Sequence, residues 1–287
     1  MACMTPIPSS SLPASSASFA SSNPAPLPVL FVSHGSPMFA LEAGDTGPAL
    51  THWGQYLRAR HPQLRGVVIM SPHWMARGVR VMSNPQPETW HDFGGFPPQL
   101  YTLQYPAPGA PALAQEVLGA LQQAGIAAEA DVRRPLDHGA WVPLMHLFPQ
   151  ADVPVVQVAL PVGADAHAVY ALGQALQGLR AQGVLIIGSG SMTHNLREFF
   201  GGQQQAADYV VEFSRWVEMQ LQAGQIDTLL DWQQRAPHAL RAHPTDEHFL
   251  PLYFALGAGG VGAKPHYLSR EVMHGMLAMD AFALQNE

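Results

Sequence analysis

Four short, largely apolar runs constrain this chain more than any other feature. They cover 28–32, 67–70, 153–160 and 184–187, and three of them feed directly into segments of Gly, Ser, Pro and His. Runs of this length without polar alternation are strands buried on both faces, as in a parallel sheet covered by helices. The intervening segments carry helical periodicity. Pro48–Arg60 reads as a helix, and Pro111–Ala124 places Leu113, Val117, Leu118 and Leu121 on one face before a stop at Gly125. Asp165–Ala181 opens on an Asp cap and ends before Gly183, and Gln203–Ala223 turns Tyr209, Phe213, Trp216 and Leu221 inward. Thr245–Leu256 reads as a helix with a Thr cap and acids in its first turn. Weaker strands are expected at 79–82, 127–131 and 265–270. Strands that alternate with helices predict a layered α/β domain with a central, largely parallel sheet flanked by helices.

Residues 1–26 are rich in Ser, Ala and Pro and hold no Lys or Arg, so they read as a flexible leader before a single catalytic domain over 27–287. Charged residues make up 12% of the chain and the net charge is -7, with no Lys/Arg block, which argues against nucleic acid as a partner. No apolar run reaches the roughly 18–20 residues of a spanning helix, so no membrane partner is expected. The single cysteine, Cys3, allows no internal disulfide and no cysteine metal cluster, which fits a cytoplasmic protein. Nothing in the sequence marks an oligomeric state.

Residues 83–109 break every period and are dominated by Pro, Gly and aromatics. A stretch this long and irregular within a compact domain is expected to be a binding loop or lid. Trp90, Phe93, Phe96, Tyr101 and Tyr105 either wall an aromatic ligand or pin the loop to the body.

Histidines stand at the loop-bound ends of the strands. His34 follows the first run, His73 the second and His194 the fourth. Open parallel sheets gather their chemistry at the carboxyl ends of strands, and neutral imidazole is the commonest metal ligand among side chains. A mononuclear metal site is therefore expected, started by His34 and His73. His194 is either a ligand or a turn cap. His243 and His248 compete for one further place, with Glu247 as a possible oxygen donor. His138, between Asp137 and Gly139, suits a general acid/base or a structural turn. His91-Asp92 is a weaker candidate, read as a loop anchor.

Three other chemistries fail on spacing. Gly188-Ser189-Gly190 lacks the third glycine of a dinucleotide loop, since Thr193 occupies it. Ser36, Ser189 and Ser191 lie in glycine-rich segments, but none completes the hydrolase elbow G-x-S-x-G. No HExxH zinc-peptidase helix is present.

Seven ordered motifs carry a resemblance: HGSPM at 34–38, SPHW at 71–74, HDFGGFP at 91–97, YPAPG at 105–109, LDHGAW at 136–141, THNL at 193–196 and HPTDEHFLPL at 243–252. Together they resemble the class III extradiol ring-cleavage dioxygenases, the LigB-like family, in its DOPA 4,5-dioxygenase branch, from about residue 28 to the C-terminus. The resemblance implies an α/β fold and one divalent non-haem metal ion per chain, Fe(II) for catalysis and Zn(II) in isolated samples. It implies metal ligands at His34, His73, His194 and His248, and an acid/base at His138. The implied partners are a small aromatic diol, DOPA-like or another substituted catechol, and O2. Two further readings stand beside it: a zinc-dependent hydrolase on the same scaffold, and a non-catalytic metal-binding relative.

Overall fold

The computed structural model describes residues 25–199 and 205–286. The expected leader lies outside the described residues except for its last two. In chain order the elements are β1 (Val29–Ser33), α1 (Thr46–Arg60), β2 (Gly66–Ala76), β3 (Val79–Met82), α2 (Pro111–Gln123), β4 (Ala128–Asp131), α3 (His138–Leu147) and β5 (Val155–Pro161). There follow α4 (Ala166–Leu176), β6 (Val184–Gly190), α5 (Leu196–Phe199), α6 (Asp208–Ala223), α7 (Ile226–Leu230), α8 (Trp232–Arg235) and α9 (Ala239–Ala242). The chain closes with α10 (Leu250–Gly259), β7 (Lys264–Ser269), β8 (Val272–Met273), β9 (Leu277–Ala278) and β10 (Ala281–Gln285).

Eight strands form one sheet in the order β4-β3-β5-β2-β6-β1-β10-β7. The four apolar runs are its centre, β5-β2-β6-β1, and all their pairings are parallel. Antiparallel joints lie outside them, at β3 with β5 and at β10 with β1 and β7. The fold is thus α/β with a largely parallel sheet, as the alternation of elements predicts. Asp165 caps α4 through Ala168 N–H, and Gly183 takes the left-handed conformation just before β6. Leu113, Val117 and Leu121 of α2 and Tyr209, Phe213 and Leu221 of α6 are buried, while Leu118 and Trp216 are only half-buried.

Several boundaries differ from expectation, each for a local reason. β2 does not stop at Met70. It runs on to Ala76, with its register to β5 shifting between Ser71 and Met75, so His73 sits on an irregular strand rather than in a loop. The last helix begins at Leu250, not Thr245. His248 lies in the turn before it, and Pro251 occupies its first turn, where a missing N–H costs nothing. Asp137 caps α3 by accepting from Ala140 N–H, so His138 is the first residue of that helix. In the sheet, β6 lies between β1 and β2.

That intervening strand explains the GSGS sequence. A Cβ at Gly188 would lie 2.0 Å from the Pro251 carbonyl oxygen, and one at Gly190 would lie 2.3 Å from that of His248. Only glycine admits the segment that carries His248 so close to the sheet. Ser191 N–H seals the approach by donating to His248 C=O at 2.7 Å.

Candidate metal centre

The carboxyl ends of β1, β2 and β6 and the turn before α10 converge on one point. There, ring nitrogens of His34, His73 and His248 lie within 4.8 Å of one another. His34 Nε2 faces His73 Nε2 at 3.1 Å. His34 and His248 are almost fully buried, and His73 is partly covered.

The hydrogen bonds behind these rings fix which nitrogen is bare. Ser189 Oγ lies 2.5 Å from Gly139 C=O, and a carbonyl can only accept, so the hydroxyl donates there. It therefore offers a lone pair to His34 Nδ1, 3.1 Å away. The proton of His34 sits on Nδ1, and Nε2 is left bare. His248 is set in the same way: Glu247 Oε1 lies 3.0 Å from its Nδ1 and also accepts from Thr245 Oγ1. Such partners orient metal-binding imidazoles and raise their basicity.

Burial lowers the pKa of His34 and of His248 far below the ordinary imidazole value, with further lowering from the neighbouring histidines. Burial, and next the charge of His138, brings His73 down to about 4. All three rings are neutral at pH 7, as ligands must be.

His138 stands against this cluster, its ring centroid 3.9 Å from that of His73. Its backbone N–H and its Nδ1 both lie 2.9 Å from Asp92 Oδ1. Burial works to raise the Asp92 carboxyl, but the hydrogen bonds from His138 outweigh it and hold the group below its ordinary value. With Nδ1 committed to Asp92, Nε2 is the nitrogen His138 has free.

His194 stacks face-on against His248, with centroids 3.6 Å apart and planes 8° from parallel. Burial lowers its pKa too. Its nitrogen groups with Glu247 and His248 rather than with the first three, and His73, Asp92 and His138 form one more group. In both of these groups the carboxylate already accepts a histidine N–H. The first group gathers three imidazoles, and the nitrogens it turns toward one another fit a divalent ion.

His243 lies away from the cluster. Its Nε2 is 2.9 Å from Met192 C=O, its ring packs among Phe213, Trp232 and Phe249, and burial lowers its pKa to about 3. It supports the turn and leaves His248 to face the site. His91 Nε2 donates to Leu103 C=O, so that residue anchors the loop as expected, while Asp92 beside it holds His138.

A cavity of about 280 Å³ opens over the histidines, walled by Pro37, Phe93, Phe96, Leu196 and Leu277. Phe93 and Phe96 bring the irregular loop to the site. The other rings pin it: Tyr105 OH donates to Phe148 C=O, and Trp90 C=O accepts from Trp141 Nε1. Arg134 is held between Trp74 and Trp90, 4.8 Å from each ring, and bridges His73 C=O and the Asp137 carboxylate.

Residues 28–279 match the family described as the catalytic LigB subunit of aromatic ring-opening dioxygenase. The chain belongs to this family. Among its relatives, the ring-opening dioxygenase is 36% identical over 256 residues to a 4,5-DOPA dioxygenase extradiol of Beta vulgaris, covering 88% of this chain and 94% of that one. It is 35% identical over 236 residues to the protein of the same description in Escherichia coli strain K12, covering 81% and 85%. A crystal structure of an uncharacterized protein from Escherichia coli K12 superposes with a TM-score of 0.74 at 29% identity, covering 90% of this chain and 99% of that one. Among the described residues of the dioxygenase, no helix is long and apolar enough to cross a membrane.

Proposed function

We propose that the protein opens the ring of a catechol with O2, beside rather than between the two hydroxyls, using one Fe(II) per chain. His34, His73 and His248 hold the ion, and residues 27–287 act as one catalytic domain. The observation that supports this reading best is the convergence of three neutral imidazoles, two of them turned by Ser189 and Glu247 so that a bare nitrogen faces inward.

Bound there, Fe(II) supplies Lewis acidity toward the catechol oxygens and the electron-transfer chemistry that O2 requires. The protein's own groups do the rest. His138 Nε2 takes the proton of a catechol hydroxyl and later returns it, while Asp92 holds the ring through Nδ1 and stabilises the imidazolium. His194, flat against His248, contacts the substrate from that side rather than ligating the metal. Phe93, Phe96 and Leu277 sandwich the ring and exclude water. Zinc suits the same nitrogens but has no accessible redox step, so a zinc-loaded protein binds catechols without oxidising them. The substrate is thus a small aromatic diol with O2. Neither nucleic acid nor a membrane is involved, and the single cysteine suits the cytoplasm.

The test is anaerobic reconstitution with Fe(II), followed by a catechol panel and oxygen. A yellow ring-opened product with matching oxygen uptake is expected. Absence of uptake across the panel rejects the proposal.

A further inference from the structure

Resting on the ring-opening reading, we propose that this site selects catechols whose ring substituent is uncharged and apolar, and discriminates against amino-acid, carboxylate and ammonium side chains. Beyond the histidines, the surfaces a substituent can meet are Pro37, Phe93, Phe96, Leu196 and Leu277, with Gly35 and Ser36 at the base. Among the described residues, no Asp, Glu, Lys or Arg lines it.

The two carboxylates near the cavity are already engaged. Asp92 accepts both N–H groups of His138, and Glu247 accepts from His248 and Thr245. Neither carboxylate lines the cavity, so neither meets a substrate ammonium there. A substrate carboxylate meets no Lys or Arg in the wall. Arg197 follows Leu196 on α5 and does not line the cavity. At about 280 Å³ the cavity sits at the lower end of small-molecule sites, which suits one ring and a short substituent.

Burying an unpaired ion against aromatic and aliphatic carbon is costly, whereas an alkyl group of equal length is favoured there. DOPA, for which the relatives in Beta vulgaris and Escherichia coli are described, carries both a carboxylate and an ammonium group. This wall offers neither a partner.

The experiment uses four catechols that share the ring and a short chain at the same position: 4-propylcatechol, 3-(3,4-dihydroxyphenyl)propionate, dopamine and DOPA. Two readouts are taken: kcat/KM on the Fe(II) enzyme, and Kd on the zinc-loaded protein by calorimetry. The neutral compound is expected to exceed each charged one by about tenfold or more in both, with the kinetic gap carried by KM. A charged member that equals or beats 4-propylcatechol overturns the inference, and loss of that advantage in Arg197→Ala would locate its recognition at the rim. Phe96→Arg is expected to narrow the gap for the propionate by about tenfold, and an unchanged gap also counts against the inference. If no catechol consumes oxygen, the ring-opening reading fails, and the order of Kd values still decides the selectivity.

Discussion

Ser189→Ala removes one oxygen and strands two buried groups. The Ser189 hydroxyl, itself fully buried, accepts from His34 Nδ1 and donates to Gly139 C=O. A buried polar group left without a partner costs about 1–3 kcal/mol, so the pair predicts a loss of about 2–6 kcal/mol in the metal-free protein. His34 also loses the contact that keeps its proton on Nδ1 and its bare Nε2 toward the cluster. Removing an orienting partner of this kind weakens metal binding by about 10–100-fold. Two assays separate the effects. Urea unfolding of the metal-free protein reads the stranded groups, and zinc titration against a competing chelator reads the orientation. Unchanged unfolding together with unchanged zinc affinity would refute the reasoning, because it would mean that Ser189 neither satisfies Gly139 nor sets the tautomer of His34.

Other perturbations test other joints. A Cβ at Gly139 would lie 2.3 Å from Ser71 Oγ and 2.9 Å from His73 Cδ2, so Gly139→Ala pushes α3 off β2 and displaces His73. Turnover should fall about 100-fold, together with metal content. Asp92→Asn keeps the shape of the side chain but weakens its hold on His138; kcat should drop by about 100-fold or more with metal content unchanged, and loss of metal would reassign the residue. Asp280, buried near Arg270, has its carboxyl raised by burial from 3.8 to about 7. The folded state therefore holds that proton more tightly than the unfolded chain, and the stability it gives below pH 4 is lost as pH rises through 7. Asp280→Asn should be the more stable form at pH 8, by roughly 4 kcal/mol at the upper limit, and near parity at pH 4. Equal urea midpoints at pH 8 would contradict this.

The parts of the fold legible in the sequence are those governed by local periodicity and caps. The buried strands β1, β2, β5 and β6 announce themselves as apolar runs, and α4 is framed by Asp165 and Gly183. The insertion of β6 between β1 and β2 is not legible, nor is the antiparallel β10 beside β1, because sheet order is set by non-local pairing. The same divide runs through the site. His34, His73, His194, His248 and His138 stand out by their neighbours in sequence. Ser189, weighed as a nucleophile, orients an imidazole 155 positions away, and Asp92, read as a loop anchor, holds one 46 positions away. The sequence signals for Asp92 are its place in an irregular aromatic loop and in the HDFGGFP motif. The stacking of His194 on His248 likewise depends on the glycines of β6, which bring the turn before α10 down onto the sheet.

The central claim is the division of labour among five histidines, and an anaerobically grown crystal of the Fe(II)-loaded protein tests it most directly through the anomalous signal of iron. The account predicts one peak at bonding distance, about 2.1 Å for metal–imidazole nitrogen, from one ring nitrogen each of His34, His73 and His248, with His138 and His194 beyond reach. A peak bonded to His138, or one that includes His194 and leaves out His34 or His73, would contradict it.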